Sequence, residues 1–423
     1  MIHRALFATG LTVFAGAAFA EVDYSLRTGA SYTDNVFREP DSSKRDSSTL
    51  FAGLTLDGSR PVGRLRYDLT ADLAAYKYLS VDVNQSVQGR ANLRGVYDFI
   101  PESFSWNAGL GYDQYRDDIT RPLAPGNLDT VVNLSTGPTL RLHLSDRTSA
   151  NLDGHYMRTT YKRRDYDSET LGGRATVMRQ AGARVSVGVG VSTDEISYIS
   201  DGGGGSNGYD RSEAFIKADV KGARTDIGTE VGYSKLKNEL IKDDGLVLRA
   251  HLRRKLTPAL TGYINATREY GASDEFVGGF RGTVVDIQDD TPVTAGARLN
   301  KNIDAGLDYR RSRSGFGISW SRRQEDGRIS GAPERTYNEM GANISRQITA
   351  RLHGALTGGL MHEKFSNLPS SADENFIGAS LDWTFGRALG LGMRLEHRNR
   401  DGVTGAGNYS EFNGSLYLSY HGK

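Results

Sequence analysis

The side chains with the most chemical potential in this sequence are charged groups spaced two or four residues apart. Arg64, Arg66, Asp68 and Asp72 fall in one run, Arg90 and Arg94 in the next, and Arg249 with Arg253 and Arg394 with Arg398 farther on. A guanidinium presents a planar fork that holds a carboxylate or phosphate by two parallel hydrogen bonds. Lined up in a wet cavity, such arginines could bind acidic sugars. The same spacing also builds Arg–carboxylate ladders between neighbouring strands, and for any one arginine the ladder is the favoured reading.

Catalytic and metal chemistry have less footing. His143, His155, His251, His353, His362, His397 and His421 are scattered singly, with no nucleophile motif beside them. His155 near Asp153 and His362 beside Glu363 come nearest to a pair, but the adjacent His362 and Glu363 point to opposite faces of a strand. No enzyme and no cofactor are expected. Asp117-Asp118, Asp243-Asp244 and Asp289-Asp290 lack the ligand spacing of a calcium loop and read as solvated tips. Lys162-Arg163-Arg164 is expected at an outer rim, where it would meet lipopolysaccharide phosphates. Gly202 to Gly205 reads as a loop tip, because no helix follows to make it a phosphate cradle.

The elements that position these groups are legible as alternation. Val22, Tyr24, Leu26, Thr28, Ala30 and Tyr32 share one face, and Asp23, Ser25, Arg27, Gly29 and Ser31 the other. Leu65, Tyr67, Leu69, Ala71 and Leu73 oppose Arg66, Asp68, Thr70 and Asp72 with Arg64 in the same phase, and Val185, Val187, Val189 and Val191 oppose serines and glycines. A polar face this charged requires water on one side while its apolar partner meets lipid. Mean hydropathy of −0.48 is far too low for a bundle of membrane helices. Short turns such as Ile100-Pro101-Glu102 and Ser145-Asp146-Arg147 alternate with longer polar segments, Thr33–Asp46, Asp117–Gly126, Ser200–Gly208 and Gly271 to about Asn300. About twenty runs follow, or eighteen if a hairpin between Gly271 and Gly315 leaves the wall. The expected fold is all-β: a transmembrane antiparallel up-and-down barrel over residues 21–423, with short turns in the periplasm and long loops outside.

Residues 1–20 read as a signal peptide: His3 and Arg4, an apolar stretch from Ala5 to Ala17, and Ala18-Phe19-Ala20 before the cut. Without Arg4 the chain carries 51 basic against 51 acidic residues, which excludes a nucleic-acid partner. The absence of cysteine suits passage through an oxidising periplasm, and the expected destination is the outer membrane of a Gram-negative bacterium. Phe412, Gly414, Leu416, Leu418 and Tyr420 alternate along the last strand and read as the signal for barrel assembly machinery, although His421-Gly422-Lys423 follow the final aromatic. Tyr97, Phe99, Phe104, Trp106, Trp383 and Phe385 are placed in an aromatic girdle at the turns, and Tyr76, Tyr78, Tyr112 and Tyr115 near the long loops.

Tyr32-Thr33-Asp34-Asn35-Val36-Phe37-Arg38, with Ser135-Thr136-Gly137-Pro138 far downstream, resembles the outer-membrane β-barrel porins of exopolysaccharide and capsule loci, the EpsL-like proteins. The resemblance covers the mature chain in architecture. It implies an accessory pore through which exopolysaccharide crosses the outer membrane, delivered by a separate periplasmic export protein, and it carries over no catalytic residues. The barrel pattern alone also permits a general diffusion porin or a non-conducting structural barrel. A barrel of this size should conduct unless plugged, and the segment 271–300 is the candidate plug.

Overall fold

The computed structural model describes residues 22–83, 87–118, 121–164, 166–200, 208–238, 242–271, 297–327, 334–366, 370–402 and 407–422. Twenty strands form there: β1 Val22–Thr33, β2 Ser47–Arg60, β3 Leu65–Tyr78, β4 Val87–Ile100, β5 Phe104–Arg116, β6 Leu128–Ser145, β7 Thr148–Tyr161, β8 Tyr166–Gln180, β9 Val185–Ser200 and β10 Tyr209–Lys221. The second half adds β11 Thr225–Lys237, β12 Lys242–Lys255, β13 Leu260–Gly271, β14 Arg298–Arg311, β15 Ser314–Asp326, β16 Arg335–Gln347, β17 Leu352–Phe365, β18 Ser370–Phe385, β19 Leu389–Gly402 and β20 Tyr409–Gly422. Each strand pairs antiparallel with its neighbours in sequence. Ten residues of β1 pair with β20, from Tyr24↔Gly422 to Thr33↔Asn413, so the sheet closes on itself. Closure satisfies the edge groups that an open sheet would leave unpaired.

The eighteen-strand alternative falls away because β13, β14 and β15 pair in continuous register. Gly202 to Gly205, Asp289-Asp290 and most of the segment 271–300 lie outside the described residues. The start of β1 and the end of β20 lie at the short-turn end, where connections run from two to four residues. At the other end the connections are unequal. The links after β1 and β5 are long, whereas those after β7, β11 and β17 have four residues.

The period of two sorts the side chains by face as the sequence requires. Leu26, Val189, Val191, Ile216, Leu246, Leu356 and Ile377 are exposed on the outer surface. So are Phe412, Leu416, Leu418 and Tyr420 of the last strand. So continuous an apolar surface is costly in water and suits lipid. At the short-turn end Phe99, Trp106 and Trp383 face outward, with Phe99 in ring contact with Tyr97 and Phe104, and Trp383 with Phe385. Tyr76, Tyr78 and Tyr115 lie toward the long-loop end, as the sequence places them. They lie in the phase opposite to the lipid face and point into the barrel, where Tyr115 is fully enclosed.

Candidate functional site

Burial inside the barrel is unequal along its axis. At the short-turn half, inward residues such as Asp68, Arg253, Thr357 and Arg394 are exposed, so the lumen there is open to water. At the long-loop half the interior is packed. Ile196, Tyr198, Tyr209, Leu236, Tyr270, Ala297 and Leu299 form one apolar cluster, and Tyr115, Val131 and Tyr161 a second, with Tyr166 packed against both.

The packing traces to a split between β4 and β5. Their pairing stops at Ala91↔Tyr112, while β3 stays with β4 up to Ala75↔Val87 and β5 stays with β6 up to Arg116↔Leu128. Gly89 sits at the split with φ +129°, a conformation in which a side chain is strained, and a Cβ there would strike the Asp72 carbonyl. Its N–H donates to the Gln114 side chain at 3.2 Å. Above this point Gln114, Tyr115 and Arg116 are only 6%, 2% and 0% exposed. On β6 Leu128, Asp129, Thr130 and Val131 are all buried. A wall strand shows alternate residues to the outside, so a strand end buried on both faces lies within the lumen. The upper end of the β5–β6 hairpin therefore leans inward as a septum.

Its far contact is Glu363 on β17. The Arg116 guanidinium donates to both carboxylate oxygens, at 3.1 and 3.2 Å. Travelling round the closed sheet, β17 and β5 are eight strands apart. Twenty strands spaced about 4.8 Å apart would close a circle roughly 30 Å across, well beyond the joint reach of an arginine and a glutamate. The contact exists because the hairpin crosses the lumen. Glu363 also takes Arg335 at 2.5 Å and Arg400 at 3.3 Å, and Arg400 continues to Glu374 at 3.2 Å, which Arg398 meets at 2.5 Å. Four of these groups, Arg116, Glu363, Arg335 and Arg400, are almost wholly enclosed. Breaking such a pair by removing one partner strands the other charge away from water.

Loop residues complete the closure. Arg38 donates to Glu411 at 2.8 Å and to the Leu123 carbonyl at 2.6 Å, joining the β1–β2 loop to β20 and to the β5–β6 loop. Burial by itself lowers the pKa of Arg38, but nearby Tyr409 and Glu411 outweigh it and hold the group well above its ordinary value. Asn127 threads the β5–β6 loop by donating to the carbonyls of Asp118 and Pro122. Thus the first of the two family-like segments is structural. Asn35 bonds Glu39 and Ser410, Phe37 stacks under Arg45, and Arg38 holds the loop. In the second segment, Trp106 donates to Thr136 at 2.7 Å, and β6–β7 pairing skips Gly137 and Pro138. A Cβ at Gly137 would strike the Gly154 carbonyl.

The arginines singled out from sequence divide into six situations. Arg64 lies exposed in the turn before β3 and lines no wall, because the β2–β3 turn extends to it. Arg66 pairs with Asp98 at 2.9 Å, and Asp72 pairs with Arg27. In register Asp68 faces Arg94 and Asp72 faces Arg90. These are wall ladders. Arg249 is a node: Glu230 and Glu269 meet it at 2.6 Å and Glu213 at 2.7 Å. Arg398 belongs to the mouth network, Arg253 is exposed on the inward face near the turns, and Arg394 looks into a cavity. Sequence reading passed over Arg116, Glu363, Arg335 and Arg400, because nothing local distinguishes them from wall residues. Arg163 and Arg164 pair with carboxylates of the septum hairpin, the exposed Arg163 with Asp117 at 3.3 Å and the more enclosed Arg164 with Asp129 at 3.4 Å. His155 finds Asp194 at 2.9 Å and His362 finds Asp373 at 2.7 Å, both across strands rather than along them.

No protein-family model matches this sequence, and no curated protein matches it. Solved structures do. The FrpB iron transporter from Neisseria meningitidis (F3-3 variant) superposes with a TM-score of 0.50 at 8% identity, over 95% of this chain and 81% of that one. The siderophore receptor PirA from Pseudomonas aeruginosa gives 0.46 at 12% identity over 95% and 81%. The ferric citrate transporter FecA in its unliganded form gives 0.47 at 10% identity over 95% and 79%. At these identities the likeness concerns the barrel fold alone.

Proposed function

We propose that this chain is an outer-membrane channel of a Gram-negative bacterium, open toward the periplasm and gated at its outer mouth, that serves exopolysaccharide export. One observation carries the reading: among the described residues the lumen is wet at the short-turn end and shut by the β5–β6 septum at the long-loop end. A polymer delivered from the periplasm would enter freely and meet a gate. An outward-collecting diffusion porin needs the opposite mouth open. The apolar outer face supports the membrane setting, and the two family-like segments support export, the first of them lying in the loop that Arg38 ties to the septum hairpin. A periplasmic export protein would deliver the polymer. Barrel assembly machinery would insert the chain through its last strand.

Deleting the chain from its host and measuring surface polysaccharide tests this. Loss of surface polymer with accumulation in the periplasm is expected. Unchanged polymer with lost solute uptake would replace export by diffusion. The septum itself favours a second reading, a permanently shut structural barrel, for which deletion would alter neither.

A further inference from the structure

Beneath the septum, on the side of β19, β20 and β1 to β4, lies a cavity of about 510 Å³. That volume falls in the range of ligand pockets. Its wall is unusual. Tyr417 of β20, Gly29 of β1, Phe51 of β2 and Tyr76 of β3 stand at one level, each the register partner of the next. Gly29 carries no side chain between the rings, and Phe51 lies 6.4 Å from Tyr417 and 6.0 Å from Tyr76, centroid to centroid. Tyr78 stacks above Tyr76 at 6.3 Å. On the other side the Tyr417 ring lies over Gly392, where a Cβ would collide with it, and its hydroxyl donates to Asp382 at 2.7 Å. The rings form a fixed aromatic strip across four strands, held in place by two glycines.

Beside the strip stands Arg394. It lines the cavity and makes no salt bridge among the described residues, whereas Arg27, Arg38, Arg66, Arg249 and Arg398 are tied to carboxylates. Four carboxylates line the cavity, of which three are committed to other arginines, Asp72 to Arg27, Glu411 to Arg38 and Glu396 to Arg398, while the fourth, Asp113, accepts the Gln114 backbone N–H at 2.8 Å. A guanidinium held next to flat apolar faces matches a ligand with an apolar ring face and a carboxylate on its edge.

We infer that this cavity is a binding site for an acidic sugar unit, a uronate, whose C–H face lies on the Phe51, Tyr76 and Tyr417 strip and whose carboxylate pairs with Arg394. This deepens the export reading, since it names the polymer chemistry the channel would accept. The test is calorimetric titration of the mature chain, refolded in detergent, with a glucuronate-containing disaccharide and with its neutral glucose counterpart. The acidic sugar is expected to bind about tenfold tighter. Arg394→Gln should erase that preference while leaving neutral-sugar binding in place, and Arg394→Lys should keep part of it. Phe51→Ala should weaken both sugars, with heat-modifiable mobility on a gel confirming that each variant is folded. Equal binding of the two sugars, a preference that survives Arg394→Gln, or no binding by the wild-type chain overturns the site. Those outcomes leave export standing, because export fails only if deletion spares surface polysaccharide.

Discussion

Arg116 and Glu363 form a buried, two-pronged ion pair between strands that lie on nearly opposite walls of the barrel, both side chains fully enclosed. A pair in that position does not hold neighbouring strands together, as the Arg66–Asp98 pair does. It fastens an inward hairpin to the far wall, across the lumen. Its geometry is that of a latch.

Releasing the latch should open the pore. Glu363→Gln removes the carboxylate shared by Arg116, Arg335 and Arg400, and should cost about 3–5 kcal/mol of stability because it takes one buried negative charge from among three buried cations, of which Arg400 keeps Glu374. Single-channel recording in planar bilayers should show larger or more frequent openings than wild type. Since the chain has no cysteine, Arg116→Cys with Glu363→Cys can be bridged by a short bis-maleimide, and the bridged protein should stay shut until the linker is cut. Equal conductance before and after bridging would refute the gate.

Arg249 organises the opposite part of the interior. Arg249→Met leaves Glu213, Glu230 and Glu269 facing one another, with Arg174 meeting only Glu230. A loss of about 3–5 kcal/mol is expected. Urea unfolding in lipid vesicles, followed by tryptophan fluorescence, checks it, and Arg249→Lys should recover part of the loss. A midpoint unmoved by the methionine variant would mean the node contributes little.

The outer face can be assigned to lipid or to water by one substitution. Leu416 and Leu418 are 55% and 53% exposed near the middle of β20. In a bilayer, Leu416→Arg should destabilise by about 2–4 kcal/mol, as cations do near the midplane. On a water-facing surface the change would stay within about 0.5 kcal/mol. Folding yield into vesicles across a urea series separates the two.

Replacing Arg163 and Arg164 with serine should affect the gate more than the surface. Their partners Asp117 and Asp129 belong to the β5–β6 loop and to β6, so the double variant should shorten closed times in bilayer recordings. Binding of lipopolysaccharide to the purified protein should be little changed. A strong loss of that binding with normal gating would restore the surface role expected from the sequence.

The barrel itself was written in local pattern. Alternation from Val22 onward fixes which side chains face lipid, and the strand count follows from the number of runs, because a period of two is a property of each strand alone. Wall pairs such as Asp72 with Arg27 were foreseeable as a class for the same reason. The last strand's apolar face was equally plain, with Phe412, Leu416, Leu418 and Tyr420 all pointing outward.

The shut mouth was not. Arg116 follows Tyr115 at the top of an ordinary-looking strand, and Glu363 sits beside His362 in another, 247 residues away. Their meeting depends on β5 parting from β4 at Gly89 and carrying β6 inward, which no periodicity records. Nor does the sequence show that Tyr417, Gly29, Phe51 and Tyr76 share one level, since that depends on the register of three separate strand pairings. Local alternation decides the face of each residue. Only closure of the sheet decides which distant residues occupy the same space, because contacts across a lumen are set by the shape of the whole ring.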